Sequence, residues 1–419
     1  MPAVARQLRY GRLAQFDIEL PQGLLVGMHY APEPLAEVQA AAVAAVTEPC
    51  EYPALREAVV PGDRVVIALQ PNVPHAPDLI AAVWESLAAR GVEADAVTIL
   101  QPARLGMLRE PDPRSKLPES VAEAVFWRTH DATDESAMAY LATSSGGERI
   151  YLAKELCDAD FVLPIGLIEY DPVLGYQGTS GGLFPALSNL EAIKRHGTIA
   201  HSELTPDDSR QARVIADEVG WLLGTQFVVQ GVRGAGGGLS HVLAGLAEPV
   251  LAEGKRLLRE GWRMELPQRA DVVLATVDGG PAGTSWTDFA RAAQNASRLV
   301  ARGGKVVLLT DLQSSRDSIS DALAILRESN SLVEARAVLT QLQSPDQPDA
   351  MRLLAVLERA DLFVLSNLNE GLPEELFMQT LGDENEVRRL LQSAESIALL
   401  EGGQHLETRI GQRLGIAED

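Results

Sequence analysis

Two kinds of hydrophobic spacing alternate along the chain. In PGDRVVIALQP a Pro-Gly turn precedes consecutive apolar residues, which predicts a buried strand over residues 64–69. The following PDLIAAVWESLAARG has apolar residues at helical spacing and ends at Gly91, and AVTIL at 96–100 predicts the next strand. This βαβ unit indicates a parallel sheet with helices on its faces, whose ligands should lie at the carboxyl ends of the strands.

The alternation continues and restarts once. Further strands are predicted in DADFVLPIG and TQFVVQGV, and further helices in LEAIKRHG and VLAEGKRLLREGW. After Pro267 the pattern begins again, with strands predicted in ADVVLATVDGG and GGKVVLLTD and a helix between them in TDFARAAQNASRLV. Because MELPQR interrupts the periodicity, we expect an α/β protein of two domains, 1–266 and 267–419. Each should contain a βαβ-type, largely parallel sheet flanked by helices, with the site in the cleft between the domains. Charged amphipathic segments at 383–402 and 405–415 predict C-terminal helices that pack onto the body, and the last can pack back on the first domain.

Length and composition narrow the class of protein. The 419 residues exceed what one hydrophobic core usually organises. No run of eighteen apolar residues and no signal-peptide pattern is present, so we expect a cytoplasmic protein without a membrane partner. Acidic residues outnumber basic ones 58 to 36, which argues against nucleic acid as a partner. Cys50 and Cys157 suit reduced thiols.

A glycine-rich segment follows the strand that ends near Leu167. Such junctions can bind anions through backbone amides, and the candidate ligand-binding residues here are Gly175, Gly178, Thr179, Ser180, Gly181 and Gly182. The two hydroxyl residues could instead cap a helix, or do both. Between Gly175 and Pro185 no Lys, Arg, His, Cys, Asp or Glu occurs, so the segment can bind but carries no reactive group. A second glycine-rich segment, GVRGAGGGLSHV, lacks the phosphate-loop spacing and is interpreted as a flexible loop.

Several blocks, in the same order, resemble the nickel-pincer-nucleotide lactate racemases, the LarA-like proteins. They include LLVGMHYAPEPL, PALREAVVPGDRVVIAL, GLIEYDPVLGYQGTSGGLFPALSNLEAI and ADVVLATVDGGPAGTSWTDFARAAQNASRLVARGGKVVLLTD. The resemblance covers nearly the whole chain. It implies the LarA fold, a small 2-hydroxy acid as substrate and, if the protein is active, an isomerase of the racemase or epimerase type.

The family's functional positions, taken one at a time, differ here. The Asp-x-x-Arg-Pro motif that helps hold cofactor and substrate is replaced by QPNVP, which makes Gln70 and Asn72 the candidate binding residues. The first catalytic His falls on Ala103, and the lysine that anchors the cofactor falls on Gly181. In the second domain the family's Lys-Asp is replaced around residues 282–284.

Three further polar positions carry alternatives. The family's second catalytic His falls on Asp171, a candidate general base that precedes a proline and could instead form an Asx-type turn. The helical His that binds nickel corresponds to His196 or, with a small shift, His201; the former could equally cap its helix and the latter could be a surface residue. His75, in PNVPHAP near the expected site, is another candidate.

These substitutions shape the functional prediction. Racemisation needs a base on either face of the carbon, and only Asp171 remains, so ordinary lactate racemisation is not expected. We predict a divergent lactate-racemase-like protein that acts on or binds a small 2-hydroxy acid. The cofactor stays open, with a nickel-pincer nucleotide bound without the lysine tether as one candidate. The alternatives are an inactive pseudoenzyme with a metabolite-binding or interaction role, and a nicotinamide-dependent oxidoreductase suggested by ADVVLATVDGG.

Overall fold

The computed structural model describes residues 3–103, 111–197, 204–316, 318–342, 344 and 346–411. Among them, no helix combines the length and the apolar character needed to cross a membrane. The chain divides into two compact units, and each contains one six-stranded sheet. Unit 1 comprises Met1–Pro32, Ala235–Gly237 and Gly261–Asp419, and unit 2 comprises Glu33–Gly234 and Gly238–Glu260.

Strands and helices alternate along much of the chain. The strands are β1 (Ala3–Tyr10), β2 (Ala14–Pro21), β3 (Leu25–His29), β4 (Val65–Leu69), β5 (Val97–Pro102), β6 (Phe126–His130), β7 (Met138–Thr143), β8 (Arg149–Ala153), β9 (Phe161–Leu167), β10 (Glu169–Asp171), β11 (Gly175–Gln177), β12 (Val228–Arg233), β13 (Leu239–Gly245), β14 (Arg263–Leu266), β15 (Ala270–Thr276), β16 (Val300–Leu309), β17 (Asp361–Leu365), β18 (Gln379–Thr380), β19 (Ile397–Leu400) and β20 (Glu407–Ile410). The helices are α1 (Val38–Thr47), α2 (Leu55–Ala58), α3 (Ala76–Ala89), α4 (Glu119–Ala124), α5 (Lys154–Asp158), α6 (Leu190–His196), α7 (Gln211–Leu222), α8 (Ala247–Gly261), α9 (Trp286–Leu299), α10 (Asp321–Glu328), α11 (Leu332–Leu339), α12 (Gln347–Leu357), α13 (Leu372–Glu375) and α14 (Glu384–Gln392).

The sheet of unit 2 has the strand order β13-β12-β9-β4-β5-β6. Its strands are parallel except β13, which pairs antiparallel with β12. Strand β4 is buried on both faces, because Ile67 packs into the core beneath α1 and α3 while Ala68 packs into the core beneath α7. Burial on both faces explains why this strand is continuously apolar in sequence rather than alternating.

The sheet of unit 1 has the order β18-β17-β16-β15-β19-β3, and all its strands are parallel. Helix α9 begins at Ser285, whose side chain accepts from the amide of Asp288 while the Asp288 carboxylate accepts in return from the Ser285 amide and hydroxyl. This capping box stabilises the start of the helix that TDFARAAQNASRLV predicts. The predicted α/β class, with largely parallel sheets flanked by helices, is confirmed.

The first 32 residues differ from the domain division read from sequence. The break in periodicity places them in a first domain of 1–266, but β3 pairs with β19, and Leu8 and Phe16 of the β1–β2 hairpin share a core with Leu274 and Leu309. The physical reason is that β3 has its sheet partner near the other end of the chain. The predicted domain boundary between residues 266 and 267 lies close to the point where unit 2 ends and unit 1 resumes, at Gly261.

Two local predictions are wrong. The segment 383–402 is helical only as far as Gln392, because residues 397–400 form β19 in the middle of the unit 1 sheet, and residues 407–410 form β20 rather than a terminal helix. The segment GVRGAGGGLSHV is not a flexible loop but a β-hairpin, in which β12 turns through residues 235–237 into β13. Positive φ angles of 63° and 74° at Gly236 and Gly237 make this turn possible.

Candidate functional site

The glycine loop, residues 175–182, lies at the carboxyl end of β9, near the middle of the unit 2 sheet. Strand β9 is followed by the hairpin β10–β11 and then by a short 3-10 turn over Thr179–Gly182. The described carboxyl ends of neighbouring strands bring Gln70, Gln101 and Arg233 to the same edge. This is the edge at which parallel α/β sheets bind ligands.

Asp171 ends β10 and shapes the turn of the hairpin. Its Oδ1 accepts hydrogen bonds from the amides of Val173 at 2.8 Å and Leu174 at 2.7 Å. The Asx turn that the Asp-Pro sequence allowed is therefore present. This contact gives the carboxylate a structural role, and its role as a general base stays a prediction.

Gly175 and Gly178 have backbone conformations that a side chain would oppose. Their φ angles are +78° and +105°. A Cβ at Gly175 would lie 2.5 Å from the carbonyl oxygen of Pro206, and one at Gly178 would lie 2.7 Å from that of Leu167. Both glycines are explained by backbone geometry and close packing.

Gly181 and Gly182 leave room for protein side chains. A Cβ at Gly181 would lie 2.9 Å from Cδ1 of Leu174, and one at Gly182 would lie 3.1 Å from Cγ of Gln70. Both glycines are buried. The space beside this part of the loop is thus filled by the chain itself, while binding of a ligand here stays a prediction.

Gln70 and Asn72 lie where the resemblance placed binding residues. The buried Gln70 side chain crosses Gly166, and its Oε1 accepts from the amide of Leu167 at 2.7 Å. Asn72 has a φ of 59°, and its carbonyl oxygen accepts from Arg233 Nη2 at 3.3 Å. Arg233 also pairs with Glu169 of β10. Gln70 therefore connects the segment after β4 to the end of β9. Asn72 connects it to Arg233, which in turn pairs with the start of the hairpin.

Thr179 and Ser180 are buried within the 3-10 turn, and neither caps a helix through its side chain. The residue at the cap position of the turn is Gly178, and helix α6 is capped by Asn189. The amide of Thr179 donates to Oε1 of Gln230 at 3.0 Å. The capping interpretation of these two residues is therefore wrong, because the chain places them inside the turn rather than at its cap.

Arg213 of α7 braces the loop. Its guanidinium donates to the carbonyl oxygens of Tyr176 at 3.2 Å and Gly178 at 3.1 Å, and to Oγ1 of Thr179 at 2.9 Å. The remaining donors reach Asp217, four residues on, at 2.7 and 2.9 Å. One side chain thus fixes the loop to the helix that packs beneath it.

Lys255 of α8 approaches the same loop from another helix. Its Nζ lies 4.7 Å from the centroid of the Tyr176 ring, and the described part of the chain gives it no carboxylate within ion-pair distance. The Tyr176 hydroxyl donates to Oδ1 of Asp207 at 2.8 Å, and Arg259 donates to the same oxygen at 2.5 Å. Among the described residues, Lys255 is therefore a cation beside the loop that has no carboxylate as a direct ion-pair partner.

These neighbours change one another's acidity. Burial, and then the nearby Arg213, lower the pKa of Lys255. Burial, and then the hydrogen bond to Asp207, raise the pKa of Tyr176. Burial alone would raise the pKa of Asp207, but the hydrogen bonds from Arg259 and Tyr176 outweigh it and the pKa is lowered. An anion placed against Lys255 would favour its charged form.

Sequence reasoning missed Arg213 and Lys255. Both lie on helices whose charged residues looked like a solvated face, and Arg213 has an acid four residues on, as surface helices commonly do. No local pattern distinguishes them. The signal lies in the tertiary structure, which brings α7 and α8 to the glycine loop.

His196 ends α6 and is engaged by its own chain. Its Nε2 lies 2.9 and 3.1 Å from the two carboxylate oxygens of Glu148, and its ring contacts that of Phe184. The alternative that it ends its helix is consistent with this position, and the contact explains its burial without a metal. His201 lies outside the described residues.

His75 lies at the start of α3 rather than in the loop. It has a φ of 56°, is half-exposed, and its Nδ1 lies 3.3 Å from Oδ2 of Asp78. Asp78 also pairs with Lys116. The structure therefore assigns His75 a local ion pair at the helix start.

The described part of the glycine loop offers no lysine-type attachment for a nickel-pincer nucleotide. Within the residues that the structure describes, no group of three His, Cys, Asp or Glu side chains could hold a metal ion. Gly181 has no side chain to attach a cofactor, and Leu174 occupies the direction that one would take. What the loop and its cations can do chemically is bind an anionic group.

Comparison with known proteins shows the fold and a family-model match over the N-terminal part of the chain. Residues 10–206 match the family model described as the lactate racemase N-terminal domain. The structure resembles that of the lactate racemase apoprotein from Thermoanaerobacterium thermosaccharolyticum, with a TM-score of 0.75 at 16% identity over 97% of this chain and 100% of that one. It also resembles the crystal structure of a protein from Thermotoga maritima, with a TM-score of 0.61 at 13% identity over 91% of this chain and 100% of that one. No curated protein matches the chain.

The matched residues include β2 of unit 1 and the glycine loop of unit 2, and the likeness to the racemase apoprotein extends over both sheets. At these identities the structural likeness shows the fold alone. Residues 10–206, a little under half of the chain, thus match the lactate racemase N-terminal domain, and the fold is similar to that of the lactate racemase apoprotein.

Proposed function

We propose that this LarA-like protein binds a small 2-hydroxy acid at the glycine loop of unit 2, with Lys255 as the group that attracts the carboxylate. The observation that carries the proposal is the Lys255 ammonium, half-buried over Tyr176 at 4.7 Å and without a carboxylate within ion-pair distance in the described residues. A lysine so placed is a compact point charge suited to a carboxylate. The family relationship supplies the substrate class.

The loop supports this role by being held rigidly. Arg213 fixes the carbonyl groups of Tyr176 and Gly178, and Gln230 fixes the amide of Thr179. A preformed site loses less conformational entropy when a small ligand binds. Binding, rather than chemistry at the bound carbon, is what these residues support.

Binding without turnover is the second candidate, and a specific observation favours it. Two of the polar residues that the resemblance offered for chemistry have partners in their own chain: Asp171 accepts from two amides and His196 contacts Glu148. If the protein does turn over its ligand, an isomerase of hydroxy acids is the reaction class that the family suggests. In either case we expect a cytoplasmic protein.

Binding is tested by calorimetric titration of the purified protein with glycolate, both lactate enantiomers and malate. We expect measurable binding of at least one acid, and a loss of roughly tenfold or more in affinity for Lys255→Gln, which corresponds to about 1.4 kcal/mol. Lys154→Gln, at an exposed position on α5, is the matched control and should bind as the wild type does. Equal affinities for wild type and Lys255→Gln would refute the assignment of Lys255.

Turnover is tested separately. Protein produced alongside the cofactor-assembly enzymes is analysed for nickel and nucleotide by mass spectrometry, and the same acids are followed for solvent deuterium at the carbon next to the carboxylate. Binding without deuterium incorporation would support the pseudoenzyme, and incorporation would support an isomerase. Nickel and nucleotide in the purified protein would support a nickel-pincer nucleotide bound without the lysine tether.

A further inference from the structure

Three arginines meet at the amino edge of the unit 1 sheet. Arg269 directly precedes β15, Arg302 lies at the start of β16, and Arg359 lies just before β17. These strands are adjacent and parallel, so their amino ends lie side by side. The amide of Gly303 donates to the carbonyl oxygen of Arg359 at 2.9 Å, which holds two of the three segments together. We call Arg269, Arg302 and Arg359 the arginine cluster.

Two of the three guanidiniums converge on one short segment. Arg269 donates to the carbonyl oxygen of Arg298, and Arg359 Nη2 donates to that of Val300 at 3.3 Å. These carbonyls lie where α9 ends and β16 begins, and cations complement the dipole at a helix end. This explains why the two side chains point there, but each guanidinium has five donors and uses few of them.

The third member has no partner in its own described chain. Within the described residues, Arg302 is exposed and makes no hydrogen bond or ion pair. Nε of Arg359 is buried and likewise lacks a hydrogen-bond partner among them. The cluster therefore retains donors that a ligand or water must satisfy.

The charge of the cluster is not balanced locally. In a chain with 58 acidic and 36 basic residues, no carboxylate of the described residues lies within ion-pair distance of Arg269, Arg302 or Arg359. The acids nearest to Arg359 in sequence are placed elsewhere, because Glu358 pairs with Arg336 and Asp361 is exposed at the start of β17. Burial, and then repulsion from Arg269 and Arg302, lower the pKa of Arg359.

Arg298, whose carbonyl oxygen accepts from Arg269, has a guanidinium with an environment of its own. Burial lowers the pKa of Arg298, opposed by Glu407, and Glu407 itself pairs with Arg263 at 2.8 Å. The neighbouring carboxylate is thus shared between two other arginines. It does not neutralise the cluster.

We propose that the arginine cluster is a binding site for a phosphoryl group, carried by inorganic phosphate or by a small phosphate ester. Planar guanidiniums bind phosphate oxygens with paired hydrogen bonds, and a dianion offsets the mutual repulsion of three cations better than a single carboxylate does. Nucleic acid is disfavoured as the carrier because the chain has a net charge of −22. The site is at the amino edge of the unit 1 sheet, so it does not depend on the function proposed for the glycine loop of unit 2.

The test is calorimetric titration of the full chain with sodium phosphate at constant ionic strength, with chloride as the reference anion. Arg302→Gln should weaken phosphate binding at least tenfold. It should leave the melting temperature in phosphate-free buffer unchanged, because Arg302 makes no hydrogen bond or ion pair within the described chain. Arg56→Gln, which removes the same charge from an exposed position on α2, is the matched control and should bind phosphate like the wild type.

A second arm separates the two sources of the phosphoryl group. Glycerol phosphate and adenosine monophosphate are titrated under the same conditions, and an ester that binds more tightly than inorganic phosphate identifies a phosphate ester as the ligand. Weaker binding of both esters identifies inorganic phosphate. Phosphate affinity equal to that of chloride, or an affinity that Arg302→Gln leaves unchanged, would overturn the proposal.

Discussion

Single residues decide whether the glycine loop can form. Gly178 has a φ of +105°, and a Cβ there would lie 2.7 Å from the carbonyl oxygen of Leu167 and 2.9 Å from Oε1 of Gln230. Gly62 has a similar φ of +93°, but a Cβ at that position would meet nothing within 4 Å. Comparing alanine substitutions at these two positions therefore separates the cost of backbone strain from the cost of a steric clash.

We predict that Gly178→Ala lowers the free energy of unfolding by about 2–4 kcal/mol, from strain and overpacking together. Gly62→Ala, which introduces strain without a clash, should cost about 1–2 kcal/mol. Urea denaturation of both variants measures the difference. Equal losses would show that the contacts of Gly178 relax at no cost.

The pKa of Asp207 gives a prediction about pH. Its hydrogen bonds from Arg259 and Tyr176 hold the folded-state pKa below the ordinary value of 3.8, so its contribution is complete above that value and is lost as the pH falls through the lowered pKa. Asp207→Asn should therefore reduce the free energy of unfolding at pH 7, by under about 1 kcal/mol for a partly exposed pair. The difference from wild type should shrink on acidification.

Urea denaturation between pH 7 and pH 2 checks this dependence. In an Arg259→Gln background, the effect of Asp207→Asn should be smaller at pH 7 because one of the two donors is gone. A difference that grows as the pH falls would contradict the assignment.

At the scale of elements, one arginine connects α7 to the glycine loop. Arg213→Lys keeps the charge but loses the fork that reaches two carbonyls and the Thr179 hydroxyl. We predict a loss of about 1–3 kcal/mol in the free energy of unfolding. We also predict faster hydrogen exchange at the amides of Thr179 and Gly181.

The matched control is Arg256→Lys on α8. Arg256 pairs with Glu253 and Glu260 on its own helix and is half-exposed, so the substitution should change the free energy of unfolding by under about 0.5 kcal/mol. Unchanged exchange in Arg213→Lys would mean that Gln230 alone holds the loop.

The elements also show where sequence reasoning succeeds and fails. Strand β4 and helix α9 were predictable because a turn precedes the first and Ser285 with Asp288 caps the second. Strand β19 was not, because its short apolar run follows a charged helix without a strong break, and only pairing with β15 and β3 makes it a strand. The partners of a central strand are set by tertiary structure, which a local window does not contain.

The candidate site is likewise predictable from sequence only in part. The position of the glycine loop and the Asx turn of Asp171 follow from local sequence. The roles of Gln70 and Lys255 do not, since each depends on a segment about eighty or more residues away, Leu167 for the first and Tyr176 for the second.

At the scale of the whole molecule, unit 1 is assembled from both ends of the chain. We predict that the fragment 33–260 folds alone, because it contains the whole of unit 2 with both its cores and only the turn Ala235–Gly237 from unit 1. The fragment 267–419 should not fold, because it lacks β3 and the residues Leu8, Phe16, Ile18 and Leu20 of the shared core. Circular dichroism and urea denaturation of the two fragments measure this directly.

A third fragment is the control. Joining residues 1–32 to 261–419 through a flexible linker should restore cooperative unfolding, since it supplies the missing edge strand and hairpin. A cooperative transition in 267–419 alone would instead support the boundary read from sequence.

The pairing of β3 with β19 also sets the order of events during synthesis. Leu25 is synthesised long before its partner Ile397. At about 5–20 residues per second, β3 is synthesised roughly 20–75 s before its partner strand β19. During that interval unit 2 can complete its sheet, whereas the apolar face of the N-terminal hairpin stays accessible to chaperones. The sheet of unit 1 can therefore be completed only after β19 has been synthesised.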